Sequence, residues 1–347
     1  MTDDMRLQPD TEAEKSALLD DHEDHAEHEA RETHAAPIPQ DAGSAAGTAA
    51  TGGAVGQASL WSDAWLELRR NPLFLISALL MVVLVAMAIV PQLFTNADPR
   101  ACNLSNSLAR PSGDHWFGFD IQGCDYYARV IYGARASIAI GIFTTAGATV
   151  IAVIGGALAG FYGKWFDAIV ARITDVWFAI PTILAGLVTL AVAEDVVERI
   201  LGHPVRRGIS IVTFVLIVFG WPTMLRLMRS SVLSAKEADY VDAARALGAG
   251  DLRIIRRHIL PNAIAPVIVY ATIFVGIIIS AEAALTFLGV GLQLPAISWG
   301  LMLSEAQNRL LQAPHLLVFP GLFLSITIFS FILMGDALRD ALDPKLR

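Results

Sequence analysis

Few residues of this sequence are arranged to perform chemistry on a nucleotide. A phosphate-binding loop needs Gly-x4-Gly-Lys followed by Ser or Thr, whose hydroxyl binds magnesium. The sequence contains one Gly-Lys pair, Gly163-Lys164, and Trp165 follows it. We therefore assign no ATP chemistry, no catalytic residue and no cofactor to this chain.

Histidines near the N-terminus have the spacing of weak metal ligands. His22, His25 and His28 stand three residues apart among acidic residues, an arrangement that can bind a transition metal loosely. The alternative is a solvated polyanion, because residues 1–34 hold twelve of the 33 acidic residues and three basic ones. We favour the polyanion and predict no metal site, since such a segment offers ligands no rigid framework.

The composition indicates which elements must position the remaining polar residues. Of the 347 residues, 54% are hydrophobic and 17% are charged. Soluble domains have about 45–50% apolar residues, glycine included, and about 25% charged residues. A soluble globule of this length cannot bury so much apolar surface, and the cysteine and glycine contents exclude a disulfide-rich mini-protein and collagen. The sequence therefore predicts an all-α polytopic membrane protein.

The first 72 residues precede the membrane part of the chain. Residues 1–59 are predicted to be an acidic disordered tail that ends in an Ala/Gly-rich linker. Residues 60–72 are predicted to form an amphipathic interfacial helix, with Trp61, Trp65 and Leu68 on one face. The acidic start does not fit a signal peptide, so we expect the first span to be retained.

Six apolar stretches are long enough to cross the hydrocarbon layer, which takes about 20 helical residues. They make residues 73–347 a six-helix domain: Leu73–Phe94, Ala136–Phe161, Ile169–Ala193, Ile209–Leu225, Ile264–Leu292 and His315–Gly335. Pro181 and Pro222 are interpreted as kinks or helix-end adjustments rather than gates. With both termini cytoplasmic, the inner segments hold 17 of the 25 basic residues, which predicts an N-in, C-in orientation.

The longest polar interruption among the later spans is residues 230–262, and its pattern is that of a helical hairpin. Apolar and small residues recur at helical spacing from Ala238 to Leu247, and Gly248 and Gly250 then end that helix. The alternative is an ordinary solvated loop.

The second arm of the hairpin is expected to begin at Asp251 as N-cap and to run to Leu260, where Pro261 stops it. A short helix with a surface of small residues is suited to the groove of a partner protein. The residues that would leave this room are Ala243, Ala244 and Ala246.

This hairpin resembles the EAA loop of ABC importer permeases. The resemblance rests on Asp242-Ala243-Ala244, on Gly248, and on His258-Ile259-Leu260-Pro261 at the family's spacing. In that family the loop is a coupling helix that sits in a cleft of the ATP-binding subunit. Asp242 replaces the usual Glu, and His258 replaces the usual Ile, a form associated with the peptide branch. The resemblance implies these ATPase-coupling residues: Asp242, Ala243, Ala244, Gly248, Leu260 and Pro261.

Further motifs extend the resemblance to dipeptide/oligopeptide permeases of the second-permease type over residues 65–347. They are His115-Trp116-Phe117-Gly118-Phe119-Asp120, Tyr132-Gly133-Ala134-Arg135, Ala281-Glu282-Ala283, Phe287-Leu288-Gly289, Ser298-Trp299-Gly300, and Gly335-Asp336 through Asp343-Pro344. The resemblance implies the type I importer permease fold in a bacterial cytoplasmic membrane. It also implies a homologous second permease, two ATP-binding subunits or domains that bind ATP and Mg²⁺, and an extracytoplasmic substrate-binding protein. No nucleic-acid partner is expected.

Two cysteines, Cys102 and Cys124, lie in the predicted outer segment between the first two spans. That compartment permits disulfides. Closing a loop of this length would stabilise it by about 3 kcal/mol on the chain-entropy account. The alternative is two unpaired thiols, and we predict the disulfide.

Three further residues are candidate site residues. Glu282 lies inside the fifth predicted span, where a charge normally faces a bundle interior or water. It would line the pathway, hold two helices together, or stay hydrated near the interface. Trp299 and Glu305 lie in the outer segment after that span, and topology together with the resemblance predicts that they contact the substrate-delivery protein.

The predicted function is the pore-forming permease subunit of an ATP-driven peptide importer, which moves its substrate by alternating access. One alternative is an ion-gradient-driven secondary transporter, but the spans offer little ionisable chemistry beyond Glu282. Another is a membrane scaffold, which would need a folded soluble domain. A third is the same permease type with a nickel-chelate or haem cargo.

Overall fold

The computed structural model describes residues 65–201 and 208–342, which form helices joined by turns and loops. The helices are α1 Pro72–Ile89, α2 Tyr126–Tyr162, α3 Lys164–Ala179, α4 Thr182–Leu201, α5 Ile209–Gly220, α6 Pro222–Lys236, α7 Asp239–Ala246, α8 Asp251–Ile254, α9 Leu260–Ala263, α10 Ala265–Phe287, α11 Trp299–Ala306 and α12 His315–Leu342. The all-α fold class is confirmed. The predicted tail, Trp61 and the Asp343-Pro344 pair lie outside the described residues. Of the predicted interfacial helix the structure describes the end, where Leu68 packs on Ala337 and Ala341.

Four helices are long and apolar enough to cross a membrane by themselves: α1, α2, α10 and α12. Two further spans are possible if each of two bent pairs is one span, namely α3 with Thr182–Ala193 and α5 with α6. The number of spans in the described residues is therefore four to six. The count of six and the N-in, C-in orientation stay predictions.

The third and fourth predicted spans are both broken at a proline. The first break bends the chain by 83°, because Ile180 is extended before Pro181, as the residue before a proline prefers. The second bends it by 45° at Trp221-Pro222. The interpretation of these prolines as kinks agrees with the structure, and whether each bent pair is one span stays a prediction.

Other helix ends differ from the predicted ends of the spans, at positions where charged or capping residues obscure the boundary in the sequence. Helix α2 begins at Tyr126 rather than Ala136, because the Asp125 carboxylate accepts the N–H of Ala128 at 2.9 Å and caps it. Helix α10 ends at Phe287 rather than Leu292, where the chain turns through Gly289 at φ +83°. Helix α6 continues to Lys236, beyond the predicted end of the fourth span at Leu225. Helix α12 continues to Leu342, beyond the predicted end of the sixth span at Gly335.

Helix α2 is the centre of the bundle, and α1, α5, α6 and α10 pack around it. The contact with α6 depends on glycine. A Cβ at Gly156 would lie 2.7 Å from the Leu225 carbonyl oxygen, and one at Gly160 would lie 2.9 Å from that of Arg229. Small residues allow this close backbone approach, which is how helices associate inside a membrane.

Candidate functional sites

The predicted hairpin is present, and its turn has a conformation that favours glycine. Helix α7 ends at Ala246, and the N–H of Gly248 donates to the Arg245 carbonyl at 2.9 Å. Gly248 has a φ of +79°, in the left-handed region, although no other atom lies within 4 Å of a Cβ built there. Glycine is therefore needed for the backbone angle and not for space.

Helix α7 has one buried face and one exposed face. Val241 and Ala244 are buried against Ile254, Ile259 and their neighbours. The exposed residues of the helix and of the position after it are Asp239, Tyr240, Asp242, Ala243, Arg245, Ala246 and Leu247. The prediction that Ala244 leaves room for another protein was wrong, because its methyl group packs inward and anchors the helix. Ala243 and Ala246 remain as the small exposed residues.

The second arm differs from its prediction at both ends. Gly250 is the N-cap and Asp251 is the first helical residue, with no side-chain capping bond, so the predicted Asp251 cap was wrong. Pro261 does not stop the helix either. A π-helical turn over Ile255–Ile259 places Pro261 in the first turn of α9, where a missing N–H breaks no bond within that helix.

The hairpin is mounted on α6, and α6 is tied to its neighbours by polar contacts. Arg226 donates to Asp175 on α3 at 2.6 Å, and its guanidinium lies 4.1 Å from the centre of the Phe178 ring. Arg229 forms a two-bonded pair with Asp167. At the end of α6, the Lys236 ammonium donates to the Phe161 carbonyl at 2.6 Å. These contacts join α6, and with it the hairpin, to both α2 and α3.

Glu282 is completely buried and accepts hydrogen bonds from three hydroxyls. Thr286 donates at 2.9 Å, and Ser298 and Ser137 donate at 3.3 Å. These groups belong to α10, the N-cap of α11, and α2. Of the three predicted roles, this geometry matches a residue that holds helices together. Thr286 lies four residues after Glu282 on one helix, so the sequence indicates this contact. Nothing in the sequence indicates the contacts of Glu282 with Ser137 and Ser298.

Trp299 does not lie on the surface. Its side chain is 0% exposed, its backbone N–H donates to Ser137 at 3.3 Å, and its indole N–H donates to the Val130 carbonyl at 2.9 Å. The prediction that Trp299 contacts a delivery protein was wrong in this conformation, because its ring fills the interface between α2 and α11. Leu104, Trp116 and Leu311, which are 76%, 65% and 97% exposed, are among the large apolar residues that face outward in this region.

Residues 95–125 together with α11 form a unit that we call the disulfide cap. The structure joins Cys102 and Cys124 in a disulfide. Asp120 accepts the N–H groups of Gln122 at 2.8 Å and Cys124 at 2.7 Å, and it pairs with the buried Arg129. These bonds fix the start of α2 against the loop.

Glu305 on α11 completes this charge cluster. Its carboxylate lies 3.6 Å from the Arg129 guanidinium, and its side chain is 28% exposed. Burial raises the pKa of the Glu305 carboxyl; the Arg129 guanidinium opposes this shift and Asp120 adds to it. Glu305 keeps a surface that a partner can reach, so its predicted contact stays a prediction.

Within residues 65–201 and 208–342, His, Cys, Asp and Glu side chains form no group suited to a metal ion. The N-terminal histidines lie outside this range. The described part of the chain contains three candidate sites: the hairpin on α6, the buried hydrogen-bond cluster around Glu282, and the disulfide cap.

Comparison with known proteins assigns these parts to a family. The family described as binding-protein-dependent transport system inner membrane component matches residues 127–347. A second match, to the N-terminal TM domain of oligopeptide transport permease C, covers residues 59–111.

Individual relatives match over most of their length. The dipeptide transport system permease protein of Alkalihalophilus pseudofirmus is 38% identical over 83% of this chain and 91% of its own. The oligopeptide transport system permease protein of Bacillus subtilis has the same identity and coverage. So does the glutathione transport system permease protein of Escherichia coli. The resemblance inferred from the motifs is confirmed, and the chain belongs to the binding-protein-dependent transport system inner membrane components.

Proposed function

We propose that this chain is the pore-forming permease subunit of an ATP-driven peptide importer of the bacterial cytoplasmic membrane. The observation that carries the proposal is the two-faced helix α7. Its buried face is fixed by Val241 and Ala244, while Asp242, Ala243 and Ala246 are exposed on a short helix. A rigid short helix that presents small residues is suited to a cleft in another protein.

The partners follow from the family. ATP and Mg²⁺ are bound by two partner ATPase subunits or domains, because this sequence has no phosphate-binding loop. A homologous second permease encloses the path, and an extracytoplasmic binding protein delivers the substrate to the disulfide cap. Of the two residues predicted to contact the binding protein, Trp299 and Glu305, Glu305 is the one with an exposed surface.

The proposed cycle is alternating access driven from the hairpin. Closure of the ATPases moves α7, and α6 passes this movement to α2 and α3 through Lys236, Arg226 and Arg229. The spans then exchange between inward-open and outward-open arrangements, and each ligand shifts the population that it binds better. The prolines at the two breaks are where such a movement bends the chain.

Peptide cargo is supported by the relatives, whose names specify dipeptides, oligopeptides and glutathione at equal identity. That equality does not favour one peptide length. A nickel-chelate or haem cargo is the alternative within this permease type. An ion-gradient mechanism would rest on Glu282, but all the contacts that the structure records for this carboxylate are hydrogen bonds to hydroxyls inside the bundle.

The proposal is tested in vesicles that contain the purified complex with both ATPase subunits and the second permease. Ala243→Trp places a large side chain on the exposed face of α7. We expect about tenfold weaker ATPase-subunit binding, the effect of about 1.4 kcal/mol at a central contact, with peptide uptake reduced in parallel. Ala191→Trp is the matched control, because Ala191 is also exposed but lies on α4, outside both the hairpin and the disulfide cap.

Unchanged uptake and ATPase binding in Ala243→Trp would contradict coupling through α7. Peptide uptake by the wild-type chain without ATP would support the ion-gradient alternative. Uptake of nickel chelates or haem with no uptake of peptides of two to five residues would retain the permease and reject the peptide cargo.

A further inference from the structure

A cavity of about 520 Å³ lies where the two bent helix pairs meet α10 and α12. Both breaks border it. The residues that line it next to the breaks are Trp177, Phe178, Thr182, Gly220, Pro222 and Thr223. The opposite wall is formed by α10 and α12, with Phe274 and Ile328 among its apolar side chains. This volume falls in the range of about 300–1,000 Å³ that is usual for small-molecule sites.

The backbone around the cavity is not suited to lipid. Hydrocarbon supplies no hydrogen bonds, so non-helical backbone at membrane depth is tolerated where protein covers it or where it lines a water-filled space. Here two spans are broken beside one cavity: Ile180 is extended before Pro181, and the chain bends by 45° at Trp221-Pro222, where Trp221 keeps helical angles. Broken spans that meet in this way form the substrate sites of many transporters.

The two breaks are built as one unit. Pro222 has no N–H, so it cannot donate to the carbonyl of Val218 four residues earlier. The indole N–H of Trp177, on the other bent pair, donates to that carbonyl at 2.8 Å. The Trp177 ring also lies against Phe219 and Trp221, with centroid separations of 6.3 and 5.8 Å. Trp177, which lies beside the first break, therefore supplies the hydrogen bond that the Val218 carbonyl lacks at the second break.

The polar groups of the cavity are hydroxyls. Thr182, Thr223 and Ser280 are exposed residues of its lining, and none has a side-chain hydrogen-bond partner among the described residues. No charged side chain is among its lining residues in the described part of the chain. Hydroxyls both donate and accept, which matches the amide groups of a peptide backbone. A charged side chain would find no counter-charge here.

We propose that this cavity binds an uncharged segment of the peptide in transit. The peptide amides bond to Thr182, Thr223 and Ser280, and apolar side chains occupy the space beside Phe178 and Phe274. This inference rests on the proposed function and names the part of the pathway that this subunit supplies. Pro222 lines the cavity and is the first residue of α6, the helix that carries the hairpin. A movement of the hairpin therefore reshapes the site.

The inference is tested by labelling a single cysteine in the complete transporter, with cysteine-free partner subunits, in vesicles. The chain has two native cysteines, which the structure joins in a disulfide. Ser280→Cys should react with a small, charged methanethiosulfonate reagent. Phe329→Cys is the matched control, because Phe329 is 61% exposed on α12 but is not among the residues that line the cavity. A bound peptide should leave its labelling rate unchanged.

A neutral peptide such as trileucine, delivered by the binding protein, should slow the labelling of Ser280→Cys. At ten times its Kd, about one site in eleven is free, so the expected slowing is about elevenfold. Thr223→Cys should behave in the same way and replaces Ser280→Cys if that variant does not assemble. An unreactive cysteine at both positions would show that the second permease or lipid seals the cavity, and would overturn the inference.

Labelling without protection by trileucine would also overturn it, since the cavity would then hold water but no peptide. Wild-type uptake of trileucine is measured in the same vesicles. No uptake would reject the proposed function itself, whereas uptake without protection rejects this site alone. As a second readout, Ala281→Phe should lower uptake of trileucine more than of triglycine, because it fills the space for side chains. An equal loss for both would indicate a packing defect and count against the site.

Discussion

The disulfide cap and the hairpin lie at opposite ends of α2, a helix of 37 residues and therefore about 55 Å long. The cap is held by a disulfide, by the buried Arg129–Asp120 pair and by the fully buried Trp299. The hairpin packs through an apolar cluster that includes Val241 and Ile259, and α6, on which it is mounted, is tied to α3 by partly exposed ion pairs such as Arg226 with Asp175, whose side chains are 48% and 53% exposed. The two ends thus differ in how much each contact costs to break.

This difference has a mechanical meaning. Removing one member of a buried charge pair typically costs about 3–5 kcal/mol, whereas an exposed pair contributes about 0.2–1 kcal/mol. The cap is therefore suited to remain one rigid surface when a partner protein docks. The hairpin mount is suited to exchange contacts at a cost that ATP binding can supply.

The largest expected effect is at the centre of the cap. Trp299→Ala removes a ring that fills the α2–α11 interface, so we expect a loss of about 3–5 kcal/mol in the free energy of unfolding. Denaturant unfolding in mixed micelles measures it. Trp116→Ala is the matched control, because that ring is 65% exposed, although it contacts Tyr127. Equal effects of the two variants would remove the contrast between a rigid cap and its surface.

The next effect concerns the disulfide. Replacing Cys102 and Cys124 together by Ser should lower the free energy of unfolding by about 3 kcal/mol, because the unfolded loop regains its freedom. Alkylation of the wild-type protein without reductant, followed by mass spectrometry, checks the bond directly. Two alkylated thiols would show that the cap is held by its ion pair and Trp299 without a covalent bond.

The sequence predicted the hairpin well because its signals are local. The helical spacing up to Leu247 and the glycine at Gly248 place α7 and its turn within a residue of their positions in the structure. The proline rule failed at Pro261, where a π-helical turn allows the chain to continue. Sequence position alone does not reveal such a turn, whose residues Ile255 and Ile259 are buried in one cluster with Val232 of α6.

The cap was predicted less well because its contacts join distant parts of the chain. Trp299 was taken for a surface residue, yet its indole bonds to Val130, 169 residues earlier. Glu282 was recognised as unusual, but its partner Ser137 is 145 residues away. The start of α2 was predicted too late because Arg129 and Arg135 look unsuited to a membrane span. In the structure Arg129 pairs with Asp120, and Arg135 donates to the Ala88 carbonyl.

A smaller effect is expected at the hairpin mount. A double-mutant cycle with Asp175→Ala and Arg226→Ala should give a coupling of about 0.2–1 kcal/mol in the free energy of unfolding, because the pair is exposed. Uptake should fall more than stability, since the pair links α3 to the helix that carries the hairpin. A coupling above about 3 kcal/mol, typical of buried pairs, would make the hairpin mount as rigid as the cap and end the comparison.

The smallest expected effect is a pH dependence within the cap. Burial raises the pKa of Glu305 above its ordinary value of 4.5. A carboxyl whose folded-state pKa is raised contributes stability that is fully present below 4.5 and is lost as the pH rises through the folded value. The wild type should therefore lose stability relative to Glu305→Gln between pH 4 and pH 8. Arg129 limits the loss and Asp120 increases it, because both charges face this carboxyl.

Thermal unfolding of the two proteins at several pH values measures this difference. Glu305→Gln removes the titrating carboxyl group with little change in the size of the side chain. A constant difference across the range would mean that solvent reaches the carboxylate fully. A difference in the opposite direction, with the wild type gaining stability as the pH rises, would mean that Arg129 dominates. Glu305 would then be one more fixed ion pair of the cap. With the expected sign, protonation of Glu305 instead tightens the attachment of α11 within the cap, and the rigidity of that end is graded rather than uniform.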